Sequence, residues 1–427
     1  MKPVENVTCA VVDYGNFLSL ADKLGETYKK VYYYTPFETE YRDISRCVTG
    51  YGSPNIECIE SIFGPEFDKI DLFVFPDIGF AELQRFLEKS GKSVWGSREA
   101  TDIELYRSYF LDVLADVGLP VPKAKVIVGL AALEAHLERV EDRWVKLDVF
   151  RENMETWHHI DYEHSLPMLR HLSTVFGGCS EDITFVVQEP IDNAEEQGYD
   201  GWCIDGRYPK ISFQGYEKKN ELYLGSALEA REMPKQVQAV NEKMSKFLEK
   251  IGYRNFWATE IRNEFFIDPT PRMAGQSQEH LQESCPNLAD IIWSGSNGKL
   301  IEPTFTHKFA ASATLHYKEV PGDSNWKSVK IPSSVQRWFK LANCHRDGNI
   351  FNFPPGRNDE IGVTIGLGDT VEQAIAHVKS NLEAVKHEPI EAEIAGLVDL
   401  LKDIAKAEAH GDKFSDQPLP KPESILA

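Results

Sequence analysis

The sequence lacks the features that would place it in a membrane, outside the cell or on a nucleic acid. No apolar run approaches the roughly 20 residues of a membrane-spanning helix, and the first residues do not follow the order of a secretory signal. The seven cysteines are odd in number and include no C-x-x-C, so neither a disulfide framework nor a zinc finger is indicated. Lys and Arg number 46 against 67 Asp and Glu, a net charge of −21, and an acidic surface repels a phosphate backbone. We therefore expect a cytoplasmic protein that binds small molecules, with no membrane partner and no nucleic-acid partner.

What is present is the composition of a folded protein with two to three domains. Of the 427 residues, 42% are hydrophobic and 26% are charged. Apolar strand-like runs at residues 7–13 and 70–77 are each followed by a helix-like segment. This alternation predicts a parallel sheet in an N-terminal α/β domain over residues 1–95.

Three residues follow the predicted strands of that sheet and are candidates for binding a substrate. Asp13 and Gly15 come after the first strand, and Asp77 comes after the later one. Ligands of such sheets bind outside the carboxyl ends of the strands, and two acids there would attract an ammonium group. The alternative is that Asp13 and Asp77 only cap the helices that follow them.

Residues 256–275 predict a buried hairpin that carries two acids. If its loop has an odd number of residues, most simply residues 263–265, Glu260 pairs directly with Asp268 and both carboxylates project from one face. Two adjacent carboxylates repel each other unless a cation lies between them, and oxygen ligands of this kind suit Mg²⁺. The alternative is a pair of surface acids, but the many aromatic neighbours favour a buried hairpin.

The hairpin sequence TEIRNEFFIDPTPRMAG resembles the metal-binding hairpin of the ATP-grasp superfamily. By the order of their elements, residues 1–385 resemble that superfamily as a whole, and within it carboxylate-amine ligases of the phosphoribosylamine-glycine ligase type. The resemblance implies an α/β and α+β fold, the ATP-grasp fold with an N-terminal Rossmann-like domain. It implies a nucleotide-binding unit over residues 96–300 with a lid lobe at about 125–200. C-terminal elements over 301–400 would complete the core, and 401–427 would be a helix end and a flexible tail. A homodimer is left open.

The resemblance also implies roles for single residues. Glu260, Asp268 and Thr270 would be ligands of Mg²⁺, with Mn²⁺ as the alternative ion, although Thr270 stands where the family usually has Asn. Arg272 would meet phosphate or a substrate carboxylate, so we expect it to act both in catalysis and in substrate binding. Arg151 lies in the segment that resembles the phosphate-covering loop and would be the second catalytic cation.

Six further residues are implied to bind ATP. Arg107 lies on a helix predicted over residues 102–117 and would contact phosphate, or else is a solvated helix residue. Lys146 in WVKL would reach the phosphates, because a lysine between apolar neighbours needs an anion. The strand FVVQEPI and the acid after it would contact the adenine and the ribose through Gln188, Glu189, Ile191 and Glu196.

The implied reaction is an ATP-dependent, Mg²⁺-dependent ligation of a small-molecule carboxylate to an amine. The carboxylate would attack the γ-phosphate, giving ADP and an acyl phosphate, and the amine would then displace phosphate. Two alternatives are an ATP-grasp kinase that phosphorylates a small molecule and a non-catalytic nucleotide-binding relative. The second alternative follows from the departures at Arg107, Pro190 and Thr270.

Overall fold

The structure is a computed structural model that describes residues 1–36, 49–149, 156–191, 196–318, 326–354 and 360–421. No helix within these ranges is long and apolar enough to cross a membrane.

A parallel sheet forms the N-terminal part of the chain. Its strands are β1 (Thr8–Val12), β2 (Lys30–Tyr34), β3 (Glu57–Cys58), β4 (Leu72–Val74) and β5 (Ser93–Trp95). Two helices accompany them, α1 (Leu18–Leu24) and α2 (Ala81–Lys89). In the described part the strand order is β3-β2-β1-β4-β5, and every neighbouring pair is parallel. Central β1 is paired on both sides and its residues 9–12 are buried, as a parallel strand covered on both faces requires. The predicted parallel sheet is confirmed.

The single helix predicted after this sheet is wrong, because two helices meet there at an extended residue. They are α3 (Thr101–Leu105) and α4 (Arg107–Val117). Tyr106 between them has φ −119° and ψ 102°. The Arg107 amide donates to the Asp148 carbonyl at 3.1 Å, and the Ser108 amide donates to the Asp148 carboxylate at 2.6 Å. The Asp148 side chain thus serves the start of α4 as a cap, which interrupts the helix and fixes the position of Arg107.

The segment expected to form the lid lobe, for which we keep that name, contains a four-stranded antiparallel sheet in the described part of the chain. Its elements are β6 (Ala124–Val128), α5 (Leu130–Leu137), β7 (Arg143–Leu147), β8 (Thr156–His159), α6 (Tyr162–Phe176) and β9 (Thr184–Gln188). The strand order is β6-β9-β7-β8. Leu133, Val145, Leu172 and Phe185 are fully buried between the sheet and the two helices. The lobe therefore has a small apolar core of its own.

The rest of the described chain is built around one large, mainly antiparallel sheet. The remaining strands are β10 (Glu196–Ile204), β11 (Ile211–Lys218), β12 (Leu222–Glu229), β13 (Arg254–Arg262), β14 (Phe265–Thr270), β15 (Phe309–Tyr317), β16 (Lys327–Lys330), β17 (Phe339–Leu341), β18 (His345–Asp347), β19 (Ile350–Phe353), β20 (Glu360–Gly368) and β21 (Ile390–Glu391). The remaining helices are α7 (Lys235–Lys250), α8 (Gly275–Gln278), α9 (Leu281–Ser284), α10 (Leu288–Ser296), α11 (Val371–Ala384) and α12 (Leu397–Ala409).

Strands from both sides of residue 300 share this sheet. Its order is β14-β13-β10-β11-β12-β15-β20-β17, with β21 paired to β15, while β16, β19 and β18 form a separate small sheet. The hairpin of β13 and β14 lies at one edge, and β17 lies at the other. The C-terminal strands therefore extend the same layer that carries the two predicted metal-binding acids.

The sequence predicts a helix end and a flexible tail over residues 401–427; in the described part, α12 ends at Ala409 and the segment after it packs against the large sheet. Phe414 is 1% exposed. Its ring centroid lies 5.7 Å from that of Tyr216 and 5.9 Å from that of Phe309. The ring of Phe414, together with the ion pairs Lys413–Glu232 and Lys308–Asp416, attaches this segment to the large sheet and its neighbours.

Candidate active site

The hairpin of β13 and β14 places Glu260 directly opposite Asp268, as the sequence predicted. The predicted three-residue loop is wrong, because Arg262 pairs with Phe265 and the turn has only two residues. Asn263 opens this turn with φ 52°, a left-handed conformation that Asn tolerates and that two-residue hairpin turns need.

A β-bulge restores the pairing of the acids. Ile261 pairs with Phe266, and the next pair away from the turn is Glu260 with Asp268. Ile267 is therefore the extra residue. Phe266 is fully buried in the core beneath the hairpin, while Asp268 lines a cavity on the other side. The bulge therefore allows two residues only two positions apart to face opposite sides of the strand.

Negative charge is concentrated around these two acids. Burial raises the pKa of Glu260 well above its usual value, and the neighbouring Asp268 raises it further. Burial and then Glu196 raise the pKa of Glu217 to about 8. The ammonium of Lys219 offsets part of this charge, and Glu260 raises its pKa in turn. A cation bound between the acids would relieve the remaining repulsion.

The donor set fits a hard cation that keeps part of its water. Glu260 and Asp268 offer two carboxylates, and the buried Thr270 follows on the same strand and lines the same cavity. Among the described residues no three His, Cys, Asp or Glu side chains are grouped as a metal site. Mg²⁺ suits such a pair, because it is commonly bound by one or two carboxylates and completes its shell with water and phosphate.

The acids face a cavity of about 970 Å³. Its walls come from the N-terminal domain, the hairpin and the C-terminal strands, as shown by Asn16, Asp268 and Lys340. Its basic lining residues are Arg107, Lys219, Arg272, Lys327 and Lys340. Six acids line the same cavity, so it offers groups for anionic ligands and for cations; they are Glu104, Glu217, Glu260, Asp268, Glu279 and Glu360.

Arg272 joins the hairpin to the N-terminal domain. Its Nε donates to Glu104 at 3.0 Å and lies 3.6 Å from the Asp77 carboxylate. Burial disfavours its charge, but Glu104 and Asp77 outweigh burial and raise the pKa of the guanidinium. Asp77 also accepts a hydrogen bond from Asn16 at 3.0 Å. The structure thus brings the predicted substrate residues Asp77 and Arg272 into one ion pair, of which Arg272 lines the cavity.

Asp13 is turned away from solvent, and its contacts favour the capping alternative. Its side chain is fully buried, and one carboxylate oxygen accepts from the Phe17 amide at 2.9 Å and from the Tyr33 hydroxyl at 2.8 Å. Gly15 has φ 99°, and a Cβ there would lie 1.9 Å from Oδ1 of Asn343. The close backbone approach at Gly15 is therefore made by the C-terminal segment of the chain.

Three of the predicted nucleotide residues meet between the lid lobe and the hairpin. Arg107, Lys146 and Gln188 line one narrow cleft together with Asp268. Burial and then the neighbouring Arg107 lower the pKa of the Lys146 ammonium to about 8. Two cations this close to each other are favoured when an anion lies between them.

The structure does not bring the other predicted nucleotide residues into that cleft. The amide of Glu189 donates to the Lys123 carbonyl at 2.9 Å, so it is already used within the lid lobe, and Ile191 is half-buried beyond it. Glu196 begins β10, and its carboxylate accepts from Arg262 at 2.6 Å. Arg151 lies outside the described residues.

Sequence patterns missed seven charged residues of the cavity. They are Glu104, Glu217, Lys219, Glu279, Lys327, Lys340 and Glu360. Glu104 precedes Arg107 by three residues, a spacing that could have suggested a shared helix face. Nothing in the local sequence marks the other six, and only the folded chain brings them to the site.

No protein-family model matches the sequence. No curated protein matches it either.

Solved structures do match over nearly the whole chain. Phosphoribosylamine-glycine ligase from Thermotoga maritima superposes with a TM-score of 0.65 at 12% identity, covering 91% of this chain and 98% of that chain. The biotin carboxylase domain of the Hydrogenobacter thermophilus 2-oxoglutarate carboxylase, a dimer in complex with MgADP, ADP and bicarbonate, gives 0.64 at 12% identity, covering 96% of each chain. L-amino acid ligase from Bacillus licheniformis gives 0.60 at 12% identity, covering 91% and 98%. At such identities the likeness establishes the fold, and this chain has the ATP-grasp fold that its hairpin sequence implied.

Proposed function

We propose that this chain is an ATP-dependent carboxylate-amine ligase that works through an acyl phosphate. The observation that carries the proposal is the cavity itself. There the paired acids Glu260 and Asp268 adjoin Arg272, and residues of the N-terminal domain lie opposite C-terminal strands. Such a cavity has room for a phosphoryl donor at the hairpin and for two small substrates beyond it.

The basic residues supply the positioning that phosphoryl transfer requires. Lys146 and Arg107 line the cleft between the lid lobe and the hairpin, where they would hold the phosphates of ATP. Arg272, oriented by Glu104 and Asp77, would hold the substrate carboxylate for in-line attack on the γ-phosphate. Its fixed charge would then stabilise the acyl phosphate. From the resemblance we further propose that Arg151 closes over the transferring phosphoryl group.

The hairpin acids would hold the metal ion. Glu260 and Asp268, with the Thr270 hydroxyl, are the residues that would bind Mg²⁺, which when bound offsets negative charge on the phosphate oxygens. The solved relative in complex with MgADP supports this choice of ion. In its absence the two carboxylates repel each other, which agrees with the raised pKa of Glu260.

The test measures ADP release from ATP and Mg²⁺ with pooled carboxylic acids, with and without pooled amines. Hydroxylamine is added in a parallel reaction, because it converts an acyl phosphate into a hydroxamate that mass spectrometry identifies. We expect acid-dependent ADP release, a hydroxamate in the trap and an amide when an amine is present.

The two alternatives give different products in the same assay. A kinase would release ADP and leave a stable phosphorylated alcohol, with neither hydroxamate nor amide. A nucleotide-binding relative would bind ATP in calorimetry and release no ADP with any pool. Either result would contradict the proposed ligase.

A further inference from the structure

A buried acid lines the cavity on the side of the N-terminal domain. Glu279 lies between α8 and α9, is 4% exposed and contributes to the cavity wall. Its Oε2 accepts hydrogen bonds from the Ser19 hydroxyl at 3.1 Å and from the Gln282 side chain. Among the described residues, no hydrogen bond reaches Oε1 and no Lys or Arg nitrogen pairs with this carboxylate. One oxygen of a buried acid is thus left for a ligand.

The nearby cations are taken by a different acid. Glu283, four residues later, accepts from Lys340 at 2.9 Å, pairs with Arg337 and lies 3.5 Å from Lys23. Burial raises the pKa of Glu279 to about 8, which Lys340 on β17 partly opposes and Asp13 after β1 reinforces. A carboxylate whose pKa is raised this far is a stronger base than an ordinary one and can take a proton from an ammonium ion.

Resting on the proposed function, we propose that Glu279 binds the ammonium group of the acceptor substrate and takes one of its protons. An ammonium ion has no lone pair and cannot attack an acyl phosphate. Transfer of a proton to the Glu279 carboxylate frees the lone pair, which forms the new carbon-nitrogen bond. The carbon-oxygen bond to phosphate breaks with its electron pair on the oxygen, and the second proton of the nitrogen leaves with the released phosphate.

The position of Glu279 fits this role. It shares one cavity with Arg272 and Asp268 but belongs to a different wall, between α1 and β17. An amine held there would face a carboxylate held by Arg272 across the same space. A carboxylate without a cationic partner is the group that an ammonium ion would complete.

The experiment compares two kinds of nucleophile in the wild type and in Glu279→Gln. Hydroxylamine is largely uncharged near neutral pH, whereas ammonium chloride and the twenty L-amino acids present charged amino groups. Each is supplied with ATP, Mg²⁺ and the acids found by ADP release. The quantity measured is the ratio of amide to hydroxamate, which is independent of the fraction of folded enzyme.

We expect Glu279→Gln to lower this ratio about 100-fold, the typical contribution of a general base. Glu264→Gln, at an exposed position of the hairpin turn that does not line the cavity, is the control and should keep the wild-type ratio. The amide yield of Glu279→Gln should recover at a pH near the pKa of the amine, where the free base is present. Glu279→Asp, which keeps a base, should lie between the two variants.

The outcomes separate this proposal from the proposed function. An unchanged ratio in Glu279→Gln overturns the role of Glu279 while leaving the ligase in place. A wild type that forms the hydroxamate but no amide with any of these amines also overturns the acceptor site. A wild type that forms neither ADP nor hydroxamate overturns the ligase itself.

Discussion

The hairpin acids and Glu283, beside opposite ends of the cavity, differ in whether the chain supplies them with cations. At the hairpin, Glu260, Asp268 and Glu217 lie near one another, and the pKa values of Glu260 and Glu217 are raised. At the other end, burial would raise the pKa of Glu283, but Lys340, Lys23 and Arg337 outweigh it and hold the pKa below its usual value. The first group is short of positive charge, and the second has its cations within the chain.

This difference is the one expected between acids that bind a ligand and acids that stabilise the fold. Placing carboxylates side by side costs stability, so such a group is expected where a bound cation will complete it. A carboxylate enclosed by three cations already has its partners and contributes to stability instead. Substitutions at the two ends should therefore have different consequences.

The largest effect is expected at the hairpin. Glu260→Ala and Asp268→Ala should each reduce ADP formation at least about 100-fold, because the ion and the phosphate charge lose their support. The melting temperature should stay the same or rise, since one of two repelling charges is gone. Glu264→Ala, at an exposed position of the same turn, is the control and should keep full activity. Full activity in Asp268→Ala would remove the metal assignment.

The next effect concerns stability at the opposite end. Glu283→Gln should lower the free energy of unfolding by about 3 to 5 kcal/mol, because it leaves buried Lys340 without its carboxylate. The folded pKa of Glu283 is depressed, so its contribution is present at neutral pH and is lost as the pH falls through the folded value. Denaturant unfolding should therefore show the gap between wild type and variant narrowing in acid.

A double variant checks the cause of that loss. Glu283→Gln combined with Lys340→Met removes both buried charges and should recover part of the lost stability. No recovery would mean that Glu283 stabilises the fold through packing alone.

A smaller effect is expected at the nucleotide cleft. Lys146→Ala should weaken ATP binding about 10-fold or more, the size of one lost charged hydrogen bond. With a pKa of about 8, wild-type Lys146 loses its charge as the pH rises past that value, so ATP affinity should fall there. Lys146→Arg keeps its charge and should show a flatter profile in calorimetry.

Arg151→Ala, by contrast, should chiefly slow turnover; equal effects of Arg151→Ala and Lys146→Ala on KM alone would contradict a closing role for Arg151.

The smallest effect is expected from Asp13→Asn. The amide oxygen can still accept from the Phe17 amide and the Tyr33 hydroxyl, so the melting temperature should change little. If Asp13 only caps, the KM for the amine stays constant; a raised KM would restore Asp13 as a substrate-binding residue. Asp77→Asn, beside Arg272, is the companion variant that should raise KM if Asp77 contributes to the site.

Local pattern predicted the strands, the parallel sheet and the pairing of Glu260 with Asp268. The predicted pairing of Glu260 with Asp268 was right although the predicted turn was wrong. From Glu260 onward, a two-residue turn plus one bulged residue gives the same register as a three-residue loop. Composition cannot distinguish these two solutions, since both place Glu260 opposite Asp268 and they differ only in the two pairs nearer the turn. Arg107 could likewise be placed on a helix, but the break at Tyr106 depends on Asp148, about forty residues away.

The surroundings of Glu279, the residue proposed to bind the acceptor amine, could not be predicted in the same way. Glu279 lies in a polar stretch that resembles a solvated helix, and its partner Ser19 is 260 residues distant. The nearby cations Lys23, Arg337 and Lys340 come from α1 and from the segment around β17, and they pair with Glu283 rather than with Glu279. Burial and charge pairing of this kind arise only when distant segments meet.

The bulge means that Ile267 could be deleted from the hairpin of β13 and β14 without changing which residue pairs with Glu260. Without Ile267 the strands would form a regular ladder on the same two-residue turn, and the two acids would still lie opposite each other. What the bulge adds is a local bend and a stronger twist, which aim the acids at the cavity. A single-residue deletion would thus separate the pairing of the two acids from their direction, two properties that no side-chain substitution can separate.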